Sequence, residues 1–245
     1  MNNPSPSWRL QRHSAPPSRT SQGRVVLVTG ATGALGSRTA QAFGARGHSL
    51  VLLDHNQNKL DALSHDLNLP EERLFASVVD LRNAEAVRST AEAVSVKFGG
   101  VHALIHLIGG WVGGRALTEA SAEDLEFMLG NHVWTTFHLF QSFAPQLSKN
   151  GWGRVIIVSK STVPDPPGKE GIYTAAKAAQ ENLVLNLSAE LKEYGVTANI
   201  IQVRAIDVHA TRKGTGTRPD EIVAAMMYLF SDEAAKLSGA RIPLY

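Results

Sequence analysis

The chain has 245 residues, 43% of them hydrophobic and 19% charged, so it can bury a sizeable core and is far from disordered composition. Its 24 Lys+Arg against 22 Asp+Glu give a net charge of +2, too even a balance for a nucleic-acid surface. The absence of Cys excludes disulfides, thiolate metal sites and a Cys nucleophile, and no apolar run reaches the ~18 residues of a membrane helix.

Residues 1–23 are rich in Pro, Ser and Arg and carry no apolar run. They cannot offset the entropy of ordering and read as a disordered tail, leaving 24–245 as one domain. An acid-free, Arg- and Ser-rich start is also the composition of a transit peptide. No secretory h-region is present, and the expected setting is cytoplasmic. The β-branched run Arg24–Thr29 predicts a buried strand, followed by a helix reaching Arg46. Ser49–Asp54 predicts a second strand, Asn58–Asp66 a helix, Leu74–Val79 a third strand and Asn83–Phe98 a helix. Ala103–Leu107 is strand four, Ser121–Leu147 is mostly helical, and Val155–Val158 is strand five. A long helix over Tyr173–Tyr194, strand six over Thr197–Val203 and a helix over Asp220–Phe230 complete the series. Alternating strands and helices imply an α/β, doubly wound (Rossmann) parallel sheet with helices on both faces.

The first strand runs into Gly30-Ala31-Thr32-Gly33-Ala34-Leu35-Gly36. Glycines every third residue let backbone approach a pyrophosphate, and the following helix offers its free N–H groups to it. Gly30, Thr32, Gly33, Ala34, Leu35 and Gly36 are therefore candidate cofactor contacts. Asp54 closes the second strand eighteen residues beyond Gly36, near the spacing of a carboxylate on the adenosine ribose. A 2′-phosphate would meet its charge, and no fixed cation follows before Lys59, so NAD(H) is expected over NADP(H). Arg38, just inside the first helix, is a cation with the reach to offset that phosphate, and His55 helps only when protonated, a minority state at neutral pH.

Tyr173 and Lys177 open the long helix four residues apart, on one face. A Tyr with a pKa near 10 is a poor acid–base group, and an adjacent ammonium is expected to lower it. The nine His are scattered, and His102 and His106 lie on or beside a strand where their spacing does not converge on a metal. No metal site is read. Pro164–Gly168 forms a stiff loop near Tyr173, and Trp111, between glycine pairs, is either an aromatic wall or a rim residue.

Together these motifs resemble the short-chain dehydrogenase/reductase superfamily from Arg24 to about Tyr245. The resemblance implies hydride transfer between a nicotinamide cofactor and a small carbonyl or alcohol. Tyr173 would be the proton donor, Lys177 would hold the ribose, and Asn131 would bend a helix and anchor a proton-relay water. Asp80 and Leu81 would contact adenine, while Ile108, Gly109 and Ile206 would border the cofactor. Leu183, Val184, Leu187 and Leu191 form an apolar stripe, and the resemblance implies that this helix pairs with a neighbouring copy in a homodimer or homotetramer.

The chain departs from the family at several points. Ala34 stands where the second fingerprint glycine usually lies. His106-Leu107-Ile108-Gly109 replaces the usual Asn-rich run, and Arg204-Ala205-Ile206 replaces a Pro-Gly. The family places a substrate-polarising Ser thirteen residues before the Tyr, and Lys160 stands there, flanked by Ser159 and Ser161. Ser161 takes the role after a one-residue shift, or the role is unfilled, or Lys160 supplies the electrophile. Gly33–Arg38, Gln41–Phe43 and Gly109–Gly114 resemble dihydropteridine reductase, a branch that lacks the Ser. A dihydropteridine-type reductase and a non-catalytic NADH-binding protein are the alternative readings.

Overall fold

In a computed structural model of the protein, residues 23–209, 211 and 216–245 are described. The predicted tail, apart from Gly23, lies outside the described residues. Seven strands form one parallel sheet in the order β3-β2-β1-β4-β5-β6-β7. They are β1 (Val25–Thr29), β2 (Ser49–Asp54), β3 (Leu74–Val78), β4 (Ala103–His106), β5 (Gly153–Lys160), β6 (Val196–Val203) and β7 (Arg241–Pro243). The helices are α1 (Ala34–Gly44), α2 (Gln57–Leu67), α3 (Ala84–Phe98), α4 (Ala122–Leu129), α5 (Thr135–Lys149), α6 (Gly171–Leu191) and α7 (Pro219–Phe230).

The central strands β1, β2, β4, β5 and β6 are buried on both faces, so both faces must be covered. Leu27, Val51, Leu104 and Ile157 point into a layer closed by α3, α5 and α6 through Val94, Phe143 and Val184. Their neighbours Val26, Leu50, Ile105 and Ile156 point into the opposite layer, closed by α1, α2 and α7 through Phe43, Leu60 and Met226. Each such side chain contributes roughly 1.5–3 kcal/mol by leaving water. Caps fix the helix ends: Asn83 accepts from the N–H groups of Glu85 and Ala86, and Gly99 ends α3 at φ 77°. Three members of the predicted α6 stripe, Val184, Leu187 and Leu191, are spent in this chain's own core.

Three differences from the sequence reading have local causes. The expected helix over 121–147 is divided by a π turn at Gly130–Trp134, between α4 and α5. A π turn adds one residue without breaking the apolar period, so periodicity does not reveal it. β5 extends to Lys160 because its polar end, Ser159 and Lys160, still pairs with Gln202 and Val203. β7 was not anticipated: its three residues include a Pro, which an edge position tolerates.

The chain leaves β1 toward β2 and β3, then returns through β4 on the other side of β1. That reversal opens a crevice at the carboxyl ends of β1 and β4, where doubly wound sheets bind ligands.

Candidate active site

The crevice encloses about 380 Å³ and is bordered by the glycine turn after β1, the loop after β4, the end of β5, the start of α6 and the loop after β6. Gly30 adopts φ +63°. A Cβ on Gly36 would lie 2.1 Å from the Gly30 carbonyl oxygen, so only glycine permits this turn. No side chain caps α1 at Gly33, and Ala34, Leu35 and Gly36 border the crevice with the N–H groups of the first helical turn, while the Gly33 N–H closes the turn onto the Gly30 carbonyl at 3.1 Å. These features fit a pyrophosphate.

Asp54 is 3% exposed. Its Oδ2 accepts from the Thr32 N–H at 2.9 Å and its Oδ1 from the His55 N–H at 2.8 Å, so the carboxylate braces the glycine turn from behind. Arg38 does not reach toward it; its guanidinium pairs with Asp220 at 2.8 Å. Asp80 follows β3 with its carboxylate largely exposed and bonded to Arg82, which holds it below the ordinary carboxylate range. Leu81 is buried beside it. Gly30, Gly33, Ala34, Leu35, Gly36, Ile108, Gly109 and Ile206 all border the crevice, as do Tyr173 and Lys177. Thr32, Asp54, Asp80 and Leu81 lie outside its lining.

Lys177 is buried on α6, and its ammonium donates to the Val158 carbonyl and to Gln180 Oε1, each at 2.9 Å. Burial pulls its pKa down to about 8, with Glu181 acting in the opposite direction. Behind it Gln180 donates to Thr136 Oγ1, and Thr136 to the His132 carbonyl. Thr135 shares the same buried layer with His106 and donates to the Asn131 carbonyl at 2.6 Å. His106 is in turn 2.7 Å from Thr29 Oγ1. This polar layer ties α6 through α5 to β1. Its saturation with partners offsets the cost of burying it.

The Tyr173 phenol does not show the lowered pKa expected of it. Burial pushes it up to about 12, and the Glu170 charge adds to the rise. Lys177 directs two of its three donors to Val158 and Gln180 and keeps one for the crevice it borders. Tyr173 therefore holds its proton at neutral pH.

His132, in the π turn, was not singled out from sequence. It borders the crevice, stands edge-on to the Tyr173 ring at 5.8 Å and lies 3.1 Å from the Gly110 carbonyl through Nε2. Burial drives its pKa down to about 3, helped by Lys177, so the ring is neutral. Adjacency to Asn131 was the one available signal. Asn131 occupies the same turn but not the lining; its Nδ2 lies 3.4 Å from where a Cβ on Gly110 would stand.

At the position where the family carries Ser, Lys160 and the preceding Ser159 border the crevice. Ser161 does not, because β5 runs on and the Ser161 N–H pairs with the Val203 carbonyl at 2.9 Å. Lys160 Nζ lies 2.7 Å from Glu170 Oε1 and 5.6 Å from the Tyr173 ring centroid. Trp111 is largely exposed on the loop beyond Gly110, packed over Gly113, and forms no wall of the crevice. No group of three or more His, Asp or Glu suited to a metal occurs among the described residues.

Comparison with known proteins agrees with this geometry. The 7α-hydroxysteroid dehydrogenase of Escherichia coli (strain K12) is 26% identical over 233 residues, covering 89% of this chain and 91% of that protein. The meso-2,3-butanediol dehydrogenase of Serratia marcescens is 27% identical over 238 residues, covering 90% and 92%. The structure of an NAD+-bound xylitol dehydrogenase superposes with a TM-score of 0.82 at 21% identity, covering 92% and 99%, and so shares the fold. The family model described as short chain dehydrogenase matches residues 24–218. The chain belongs to the short-chain dehydrogenase/reductase family, whose members are oxidoreductases that bind NAD or NADP.

Proposed function

We propose that the protein reduces a small carbonyl compound to an alcohol, with Tyr173 as proton donor and NADH as the preferred cofactor. The observation that carries this reading is the meeting of the glycine turn, Lys177 and the Tyr173 phenol around one crevice at the switch point of the sheet. The nicotinamide, when bound, supplies the hydride. The N–H groups at the start of α1 would hold its diphosphate, and Lys177 would donate to the ribose. Tyr173, protonated at neutral pH, gives its hydroxyl proton to the substrate oxygen as charge develops there. The neutral His132 ring and the buried layer beneath keep α6 in position. The relatives named above are dehydrogenases of a hydroxysteroid and a diol, which supports alcohol and carbonyl chemistry.

The preference for NADH rests on Asp54 and Arg38. A 2′-phosphate beside the buried Asp54 carboxylate meets a like charge. Arg38, already paired with Asp220, is turned away from relieving it. Comparing both reduced cofactors should show at least ~10-fold higher kcat/KM with NADH, or ~1.4 kcal/mol. Asp54→Ala should narrow that ratio. Equal or better use of NADPH by the parental protein would contradict the assignment.

A further inference from the structure

The charged side chains that border the crevice are Lys160, Lys177 and Arg204, and among the described residues no Asp or Glu joins them. The diphosphate and ribose of a nicotinamide cofactor account for Lys177. Arg204 is directed to the Tyr245 ring, 5.4 Å from its centroid. Lys160 is left at the substrate end, beside Tyr173.

An ammonium is a costly replacement for a hydroxyl. Bringing it under a bound substrate removes its water, and that loss is offset only if an anion meets it. In the free protein the anion is Glu170, whose carboxylate takes one of the three Lys160 donors at 2.7 Å. Thr162 Oγ1 holds the other Glu170 oxygen at 3.0 Å, so Glu170 is itself anchored. Among the described residues, the Lys160 ammonium makes no other hydrogen bond. Two donors remain on a side chain that borders the crevice, with Nζ 5.6 Å from the Tyr173 ring centroid and so within a small molecule's span of it.

We propose that Lys160 is a receptor for a substrate carboxylate, and that the site takes 2-oxo acids. The carboxylate binds the Lys160 ammonium, and the adjoining carbonyl oxygen faces the Tyr173 hydroxyl. The family's neutral Ser can polarise a ketone but cannot neutralise a carboxylate; Lys160 does both through one group. The proposal rests on the carbonyl-reduction reading above and narrows its substrate class.

The test needs no turnover. Protein preloaded with NADH is titrated calorimetrically with oxamate, a 2-oxo-acid mimic lacking a reducible ketone, and with its neutral methyl ester. Oxamate should bind at least ~10-fold tighter than the ester, the order expected for a charge-assisted contact. Lys160→Met should abolish that discrimination, Lys160→Arg should keep most of it, and Glu170→Gln should strengthen oxamate binding by removing a competing carboxylate. A folding defect would weaken all three variants alike and would show in their NADH affinity. Equal or absent binding of oxamate and ester to parental protein holding NADH, or full discrimination in Lys160→Met, would overturn the proposal and leave the reduction reading standing. Failure of the parental protein to bind NADH at all would overturn both.

Discussion

Lys177 and Arg154 are both buried cations beside the central strands, at opposite ends of the sheet. Arg154, 1% exposed at the amino end of β5, donates to the carbonyls of Gly153, Gly195 and Ser231. Its guanidinium lies 4.1 Å from the Trp152 ring centroid, and Arg24 lies 3.5 Å from that same centroid. Asp232 ties the group together by accepting from Arg24 and from Trp152 Nε1. Burial lowers the Arg154 pKa only to about 10, so it stays charged. Lys177, at the carboxyl end, also donates to a strand carbonyl, but it borders an open crevice and titrates near pH 8. Burial of a charge therefore does not mark a site. A buried cation closed off by carbonyls is a scaffold, whereas one that borders a crevice with a pKa within reach of neutrality is equipped for chemistry.

Substitution should separate the two. Lys177→Met is expected to lower kcat by about 10²–10⁴-fold, the range of acid–base contributions, and to weaken NADH binding, read by steady-state kinetics and fluorescence titration. Its kinetic loss should exceed its loss of stability. Arg154→Met should do the reverse. Three carbonyls lose a donor and the Trp152 stack loses a face, for about 2–4 kcal/mol in denaturant unfolding, with kcat of the remaining folded protein nearly unchanged. A kinetic loss at Arg154 comparable to that at Lys177 would break the comparison. The smallest effect is expected from changing Ser159 and Ser161 together to Ala. Ser161 lies outside the crevice lining, Ser159 borders it one residue before Lys160, and Lys160 occupies the usual Ser position, so the rate should hold within about twofold, against the ~100-fold cost of removing an oxyanion-type donor.

Much of this was legible in the sequence because it is made by backbone. The glycine turn needs only small residues at fixed spacing after an apolar run, and the crevice follows from strand order. Lys177 was legible because helical spacing ties it to Tyr173. What escaped depends on registers that periodicity does not carry. The added residue of the π turn brings His132, rather than Asn131, to the lining. The polar end of β5 keeps Ser161 paired to β6 and leaves Lys160 at the crevice. The direction of the Tyr173 pKa also escaped. It depends on burial and on Glu170, which Lys160 and Thr162 hold in place, and not on the Tyr–Lys spacing.

The proposed proton donor at the crevice is the Tyr173 phenol. Tyr173→Phe removes one oxygen from a ring that His132 still packs against. Measured side by side with the parental protein, kcat should fall by about 10²–10⁴-fold while the NADH dissociation constant stays nearly unchanged. A variant that keeps kcat within ~10-fold of the parental value, a loss below ~1.4 kcal/mol, would contradict it.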